Sequence, residues 1–195
     1  MVARPPLSAR FQRALVYAAR IHSRQFRKGT TRPYMGHLLG VTSIVLTQGG
    51  DEDEAIAALL HDAVEDQGGK PRLRDIQREF GARVARIVEG CTDSDSTPKP
   101  PWLTRKKSYL QHLLIADSSV RLVSAADKVY NARETLADFR SHRDTLWKRF
   151  KGGKQGTLWY YREVARVLRR RGPQELGAEL DRIVKELTRI SKSSD

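Results

Sequence analysis

The sequence predicts an all-α fold built as a single domain. Three observations carry this: apolar residues recur at helical spacing, strand signals are scarce, and Gly or Pro falls between the periodic segments. Ser8 can cap a first helix with Phe11, Leu15, Ala18, Ala19 and His22 at helical spacing. A loop over 24–33 follows, punctuated by Gly29 and Pro33, then a second helix over 34–47 that stops at Gln48-Gly49-Gly50. Asp51 or Asp53 starts a third. Its run Ala55-Ile56-Ala57-Ala58-Leu59-Leu60 has almost no polar side and reads as a central, fully packed helix. That helix is expected to continue through His61-Asp62-Ala63-Val64-Glu65-Asp66, until Gln67-Gly68-Gly69-Lys70-Pro71 breaks it. Helices are expected over 73–80 and 82–89, hinged at Gly81. Residues 92–102, with three prolines and little periodicity, read as an exposed loop. Helices then fit 103–115, 120–138, 157–171 and 173–190, the last two divided by Gly172-Pro173.

At 195 residues the chain has the size of one ordinary domain, and 39% hydrophobic residues are enough for a core despite 30% charged ones. The longest apolar stretches are six residues, 14–19 and 55–60. A bilayer span needs ~20, so no membrane helix is expected. Residues 1–10 lack the apolar region of a secretory signal. Cys91 is the single cysteine, which excludes an internal disulfide and fits a reducing, cytoplasmic location.

The net charge of +13 invites a nucleic-acid reading. Its distribution argues against it. Residues 1–50 carry eight basic residues and no acid (+8), 51–138 carry 13 basic and 16 acidic residues (−3), and 139–195 carry 15 and 7 (+8). A simple DNA-binding module has no need for carboxylates concentrated in its middle, and their presence asks for a chemical reason.

His61-Asp62 sits in that acidic centre. Neutral imidazole nitrogen and carboxylate oxygen together suit Mn²⁺, Fe or Zn. Glu65 and Asp66 follow at i+3 and i+4 from Asp62, and three acids and a His within six residues are costly to bury without a cation. The alternative is a frayed, solvated helix end. Asp127 and Asn131 lie at i, i+4 within an apolar stripe, where Asp127 is either a ligand or one half of a structural ion pair. His37, among apolar residues of the second helix, reads by itself as a core histidine. Arg27-Lys28 reads by itself as a solvated surface pair.

The order of these pieces carries a resemblance. His37, then His61-Asp62, then Asp127 resembles the H…HD…D signature of HD-domain metal-dependent phosphohydrolases. Within them the chain is similar to the hydrolase domain of RelA/SpoT-type enzymes in its stand-alone form, the small alarmone hydrolases. Matching segments are Gln25-Phe26-Arg27-Lys28, Pro33-Tyr34-Met35-Gly36-His37, Ala57 through Asp66, Phe80-Gly81, Cys91-Thr92-Asp93, and Ala126-Asp127-Lys128-Val129-Tyr130-Asn131-Ala132-Arg133. The resemblance covers about 8–140, with a helical tail over 141–190, inside one HD-type domain over 1–195.

The resemblance implies a helical bundle with a metal site in its centre. It implies one Mn²⁺ held by His37, His61, Asp62 and Asp127, with Glu65 and Asp66 positioning or deprotonating the attacking water. Arg27 and Lys28 would border the substrate and Asn131 would contact the nucleotide sugar. The implied reaction removes the 3′-pyrophosphate of (p)ppGpp, giving GDP or GTP and pyrophosphate. Two departures stand out: Leu38 where Pro is usual after the first metal histidine, and Gln67 where Thr is usual, followed by two glycines that predict a looser loop. The 195-residue length leaves no room for the synthetase and regulatory domains of full-length enzymes.

Competing readings are an HD-type nucleotide phosphatase, such as one acting on the 2′-phosphate of NADPH, and, at a distance, a basic nucleic-acid-binding helical module. No specific nucleic acid and no membrane partner are expected, and a homo-oligomer is left open. His22, His112 and His142 are expected to be ordinary helix or surface residues. Trp102, Trp147, Trp159, Tyr160 and Tyr161 are expected to be packing groups.

Overall fold

In a computed structural model, which describes residues 7–93 and 98–192, every element is helical apart from one isolated antiparallel bridge between Phe26 and Pro33. The expected all-α class is what forms. Residues 1–6 of the segment read for a secretory signal, and 94–97 of the loop over 92–102, lie outside the described residues. The chain divides into two compact units, Met1–Thr97 and Pro98–Asp195.

In the first unit, α1 (Ala9–Ile21) starts where the sequence places it: the Ser8 hydroxyl accepts from the Arg10 amide. Helix α2 (Met35–Thr47) stops at Gln48, with Gly49 following at φ 76°. Helix α3 (Glu52–Leu60) opens with a reciprocal cap, the Asp51 carboxylate accepting from Glu54 N and the Glu54 carboxylate accepting from Asp51 N. Its acidic first turn complements the helix dipole. Arg83 ties that turn together, 2.8 Å from Asp51 and 3.0 Å from Asp53, while Arg10 lies 3.1 Å from Glu52. Ala55 through Leu60 are all 0% exposed, packed by α1, α2 and α6 (Ala82–Cys91). Burying such aliphatic side chains stabilises by about 1.5–3 kcal/mol each, so packing holds α3 at the centre of this unit.

The expected continuation of that helix through Asp66 does not occur. Helix α3 ends at Leu60, His61 and Asp62 form a turn, and a four-residue helix α4 (Ala63–Asp66) resumes. The physical reason is side-chain chemistry, since no Gly or Pro interrupts the run. The His61 ring takes the carbonyl of Ala58 at 2.8 Å, and Asp62 adopts φ −97°, ψ −2°, at the edge of helical space. Helix α5 (Gly69–Phe80) starts four residues before the expected 73. Gly68, at φ 131°, takes the sharp turn, and Pro71 falls in the first helical turn, where its missing N–H costs no bond.

The second unit holds α7 (Trp102–Ile115), α8 (Ser118–His142), a 3-10 turn (Arg143–Arg149), α9 (Gly153–Arg171) and α10 (Gln174–Lys192). Asp117 caps α8 by accepting from Val120 N at 2.9 Å. The 3-10 turn, to which the sequence assigned no element, buries Leu146 and Trp147. Helix α10 packs on α8 and α9, closely enough at Gly177 that a Cβ there would lie 2.9 Å from Arg169 N. Trp147, Tyr160 and Tyr161 are buried packing groups, as expected, and Trp102 lies against Gly152 and Gly156.

Candidate metal centre

The break after α3 creates the site. Along a continuous helix, residues 61 and 62 would project about 100° apart. In the turn, His61 Nε2 and Asp62 Oδ2 come within 3.0 Å. From α2, His37 Nε2 lies 3.3 Å from His61 Nε2 and 3.4 Å from the same Asp62 oxygen. Both histidines are buried, while the Asp62 side chain is 23% exposed. Two imidazole nitrogens and one carboxylate oxygen therefore converge from two segments of the first unit.

The hydrogen bond from His61 Nδ1 to the Ala58 carbonyl fixes the ring's tautomer. Nδ1 is the donor, so in the neutral ring Nε2 keeps its lone pair, the form a metal ligand needs. Burial would push the Asp62 carboxyl up, but the imidazoles in their protonated form, His61 first and His37 after it, hold it well below the usual carboxylate range. The Tyr34 hydroxyl adds a donor to Asp62 Oδ2 at 2.5 Å. A bound cation would do for this carboxylate what the imidazoles do here, and N, N, O is a donor set suited to a divalent ion. These residues fit a metal.

Glu65 and Asp66 lie on α4, Glu65 half-buried and Asp66 exposed, with Asp66 Oδ2 accepting from Gln25 Nε2 at 2.8 Å. Arg27 lies over the Tyr34 ring, its Cζ 5.7 Å from the ring centroid, and Lys28 is exposed in the same loop. In the second unit Asp127 is buried on α8. Its carboxylate receives the Lys128 ammonium and the Asn131 amide, so the shared face expected from the sequence is present together with the ion pair that the sequence left as the alternative to a ligand. Burial opposes the Lys128 charge, yet Asp127 keeps its pKa well above the usual lysine range.

Sequence reasoning missed three side chains of the first unit. Tyr34, quoted only as part of a matching segment, orients Asp62. His22, expected to be ordinary, is 2% exposed, stacks on Tyr34 at 5.6 Å and bonds Gln25 through Nδ1 at 2.6 Å. Gln67 is not in a loose loop: its side-chain amide donates to Gln25 Oε1 at 2.6 Å and its backbone carbonyl accepts from Arg72 at 3.0 Å. The spacing of His22 and Gln25, i and i+3 across a helix end, was the available signal.

Comparison with known proteins places this geometry. A family profile described as an HD domain matches residues 14–157. A guanosine-3′,5′-bis(diphosphate) 3′-pyrophosphohydrolase MESH1 from Xenopus tropicalis is 40% identical over 121 residues, covering 60% of this chain and just under two thirds (65%) of that protein. The human protein of the same name is 39% identical over 132 residues, covering 65% of this chain and 70% of its own. An Aquifex aeolicus guanosine-3′,5′-bis(diphosphate) 3′-pyrophosphohydrolase is 34% identical over 142 residues, 71% of this chain but 19% of that protein. Among solved structures, a metazoan SpoT orthologue described as hydrolysing ppGpp superimposes with a TM-score of 0.76 at 27% identity, covering 94% of this chain and 98% of that one. A Listeria monocytogenes protein gives 0.67 at 27% identity, covering 80% and 99%.

Proposed function

Because this chain belongs to the HD-domain family, we propose that it hydrolyses (p)ppGpp to GDP or GTP plus pyrophosphate, using one divalent ion, Mn²⁺ by expectation. The observation that carries the reading is the convergence of His37, His61 and Asp62 within 3.4 Å of one another, in a chain whose relatives are named for that reaction. Asp127, a buried carboxylate, is the proposed fourth ligand. The two units are proposed to act as one hydrolase domain, since the family match runs from 14 to 157 through both.

An ion held by His37, His61, Asp62 and Asp127 would supply Lewis-acid polarisation of the phosphate and a lowered pKa for water. The chain's own residues do the rest. Asp66, with Glu65, is assigned the proton of the attacking water, since a carboxylate one turn beyond a ligand is a suitable general base. Arg27 and Lys28 are assigned the phosphates, where a guanidinium offers paired donors and a flat face for a base. Asn131 is assigned the sugar. Water's oxygen joins the phosphorus attached to the ribose 3′ oxygen, that P–O bond breaks, and the proton taken from the water passes to the departing 3′ oxygen. No helix of the described residues is long and apolar enough to cross a membrane, which accords with the cytoplasmic location we propose.

The test is to incubate the Mn²⁺-loaded chain with ppGpp and, in parallel, NADPH, measuring pyrophosphate and orthophosphate. GDP and pyrophosphate in equal amounts are expected from ppGpp. An inert protein would overturn the reading, and orthophosphate from NADPH alone would replace it with the nucleotide phosphatase.

A further inference from the structure

Four side chains of the first unit form a hydrogen-bonded chain that ends on Asp66. Gln25 lies at its middle. Its Nε2 donates to Asp66 Oδ2 at 2.8 Å, while its Oε1 accepts from Gln67 Nε2 at 2.6 Å and lies 2.6 Å from His22 Nδ1. These partners leave the Gln25 amide one orientation. Turned over, its oxygen would face the Asp66 carboxylate and its NH₂ would face the NH₂ of Gln67, two repulsive pairs. An accepting Oε1 makes His22 Nδ1 the donor, so the neutral ring carries its proton there. Burial, which pushes the His22 pKa down, favours that neutral form. His22 is held by its stack on Tyr34. The Gln67 backbone carbonyl accepts from Arg72, which also donates to the Tyr17 hydroxyl at 2.8 Å.

Asp66 itself is exposed on a helix of four residues. We propose, resting on the alarmone reading above, that Gln25 is a positioning residue that aims the Asp66 carboxylate, its amide locked by His22 and Gln67. The donor reaches one carboxylate oxygen, Oδ2, and so sets the direction in which the group meets the proton of water. The requirement is steep, because a misplacement of about 1 Å in a catalytic group can cost about 100-fold in rate.

A double-substitution cycle on the full Mn²⁺-loaded chain tests this, with ppGpp and enzyme in excess so that slow variants remain measurable. Gln25→Ala is expected to lower kcat about 10- to 100-fold with KM little changed. In an Asp66→Asn background the same change is expected to have less than about a twofold effect, because its target is already gone. Equal losses in both backgrounds would overturn the proposal and leave Gln25 a packing residue. Gln25→Glu keeps the size but turns an acceptor toward Asp66, and is expected to lose at least as much as Gln25→Ala; wild-type kcat in that variant would also overturn it. The contact is read without turnover from the Gln25 side-chain amide in the ¹⁵N spectrum, which moves on Asp66→Asn if the bond exists. An unmoved signal overturns the hydrogen-bond chain. A moved signal in a protein inert toward ppGpp removes the alarmone reading instead, so the two failures are distinct.

Discussion

The Tyr34 hydroxyl donates to Asp62 Oδ2 at 2.5 Å, and that same oxygen lies 3.4 Å and 3.0 Å from the Nε2 atoms of His37 and His61. Tyr34 sits at the start of α2, three residues before His37, so one short segment supplies both a proposed ligand and the donor that orients another. Hydrogen bonds to a ligating carboxylate typically carry about 10- to 100-fold in metal affinity or activity. Tyr34→Phe keeps the ring against His22 and removes only the hydroxyl. Mn²⁺ affinity, measured by calorimetric titration, or kcat/KM is expected to fall by about that factor. Unchanged values would reduce Tyr34 to a packing role.

Metal binding to the folded site alone stabilises the fold by mass action, by about 2.7 kcal/mol at 100 times Kd. Chelator-treated wild type is therefore expected to gain several degrees in Tm on adding Mn²⁺, read by scanning calorimetry. His61→Ala and Asp62→Ala are expected to lose most of that gain and to abolish pyrophosphate release. A full thermal shift in Asp62→Ala would place the ion elsewhere.

The fold was legible where the signal was local. Ser8, Asp51 and the stop at Gln48 to Gly50 sit where the sequence places them, because caps and turns are chosen by residues next to them. The end of α3 was not legible. Residues 55–66 contain no Gly or Pro to mark a break, and the turn at His61 and Asp62 depends on where those two side chains bond. Gly68 and Gly69 read as loop, yet only the turn at Gly68 lies outside α5. Within the first unit, the order of His37, His61 and Asp62 along the chain was enough to group three side chains that the fold brings together. Tyr34, His22 and Gln67 were not legible. Tyr34 meets Asp62 from 28 residues away and Gln67 meets Gln25 from 42, separations at which one sequence carries no pairing signal.

His22 predicts a pH dependence of stability. In the unfolded chain it titrates near 6.5, and in the fold burial lowers that value, with His61 and Arg72 acting in the same direction and Gln25 and Asp62 opposing. Above 6.5 both states hold the ring neutral and His22 contributes no slope. Below it the unfolded chain takes up a proton that the folded one refuses, so falling pH favours unfolding until the lowered folded value is reached. Urea midpoints are expected to drop below pH 6.5 in wild type and to drop less in His22→Gln. Parallel curves would show that other groups set the dependence.

Two glycines in helices predict opposite signs for the same substitution. Replacing Gly by Ala inside a helix normally stabilises by up to about 1 kcal/mol through the entropy of the unfolded chain and better helix propensity. At Gly36, in the first turn of α2, a Cβ would meet nothing within 4 Å, so Gly36→Ala is expected to raise stability by a few tenths to about 1 kcal/mol. At Gly177 the added Cβ would lie 2.9 Å from Arg169 N, 3.0 Å from Leu168 Cβ and 3.1 Å from Arg169 Cγ. The nearest of these atoms is backbone and cannot swing aside, so α10 must move off α9 or the helix must strain. Overpacking of this kind costs about 1–3 kcal/mol, which outweighs the propensity gain. Gly177→Ala is therefore expected to lower the urea midpoint while Gly36→Ala raises it. A Gly177→Ala protein as stable as wild type would mean that α10 shifts on α9 at little cost, and that the close approach is not what holds the two helices together.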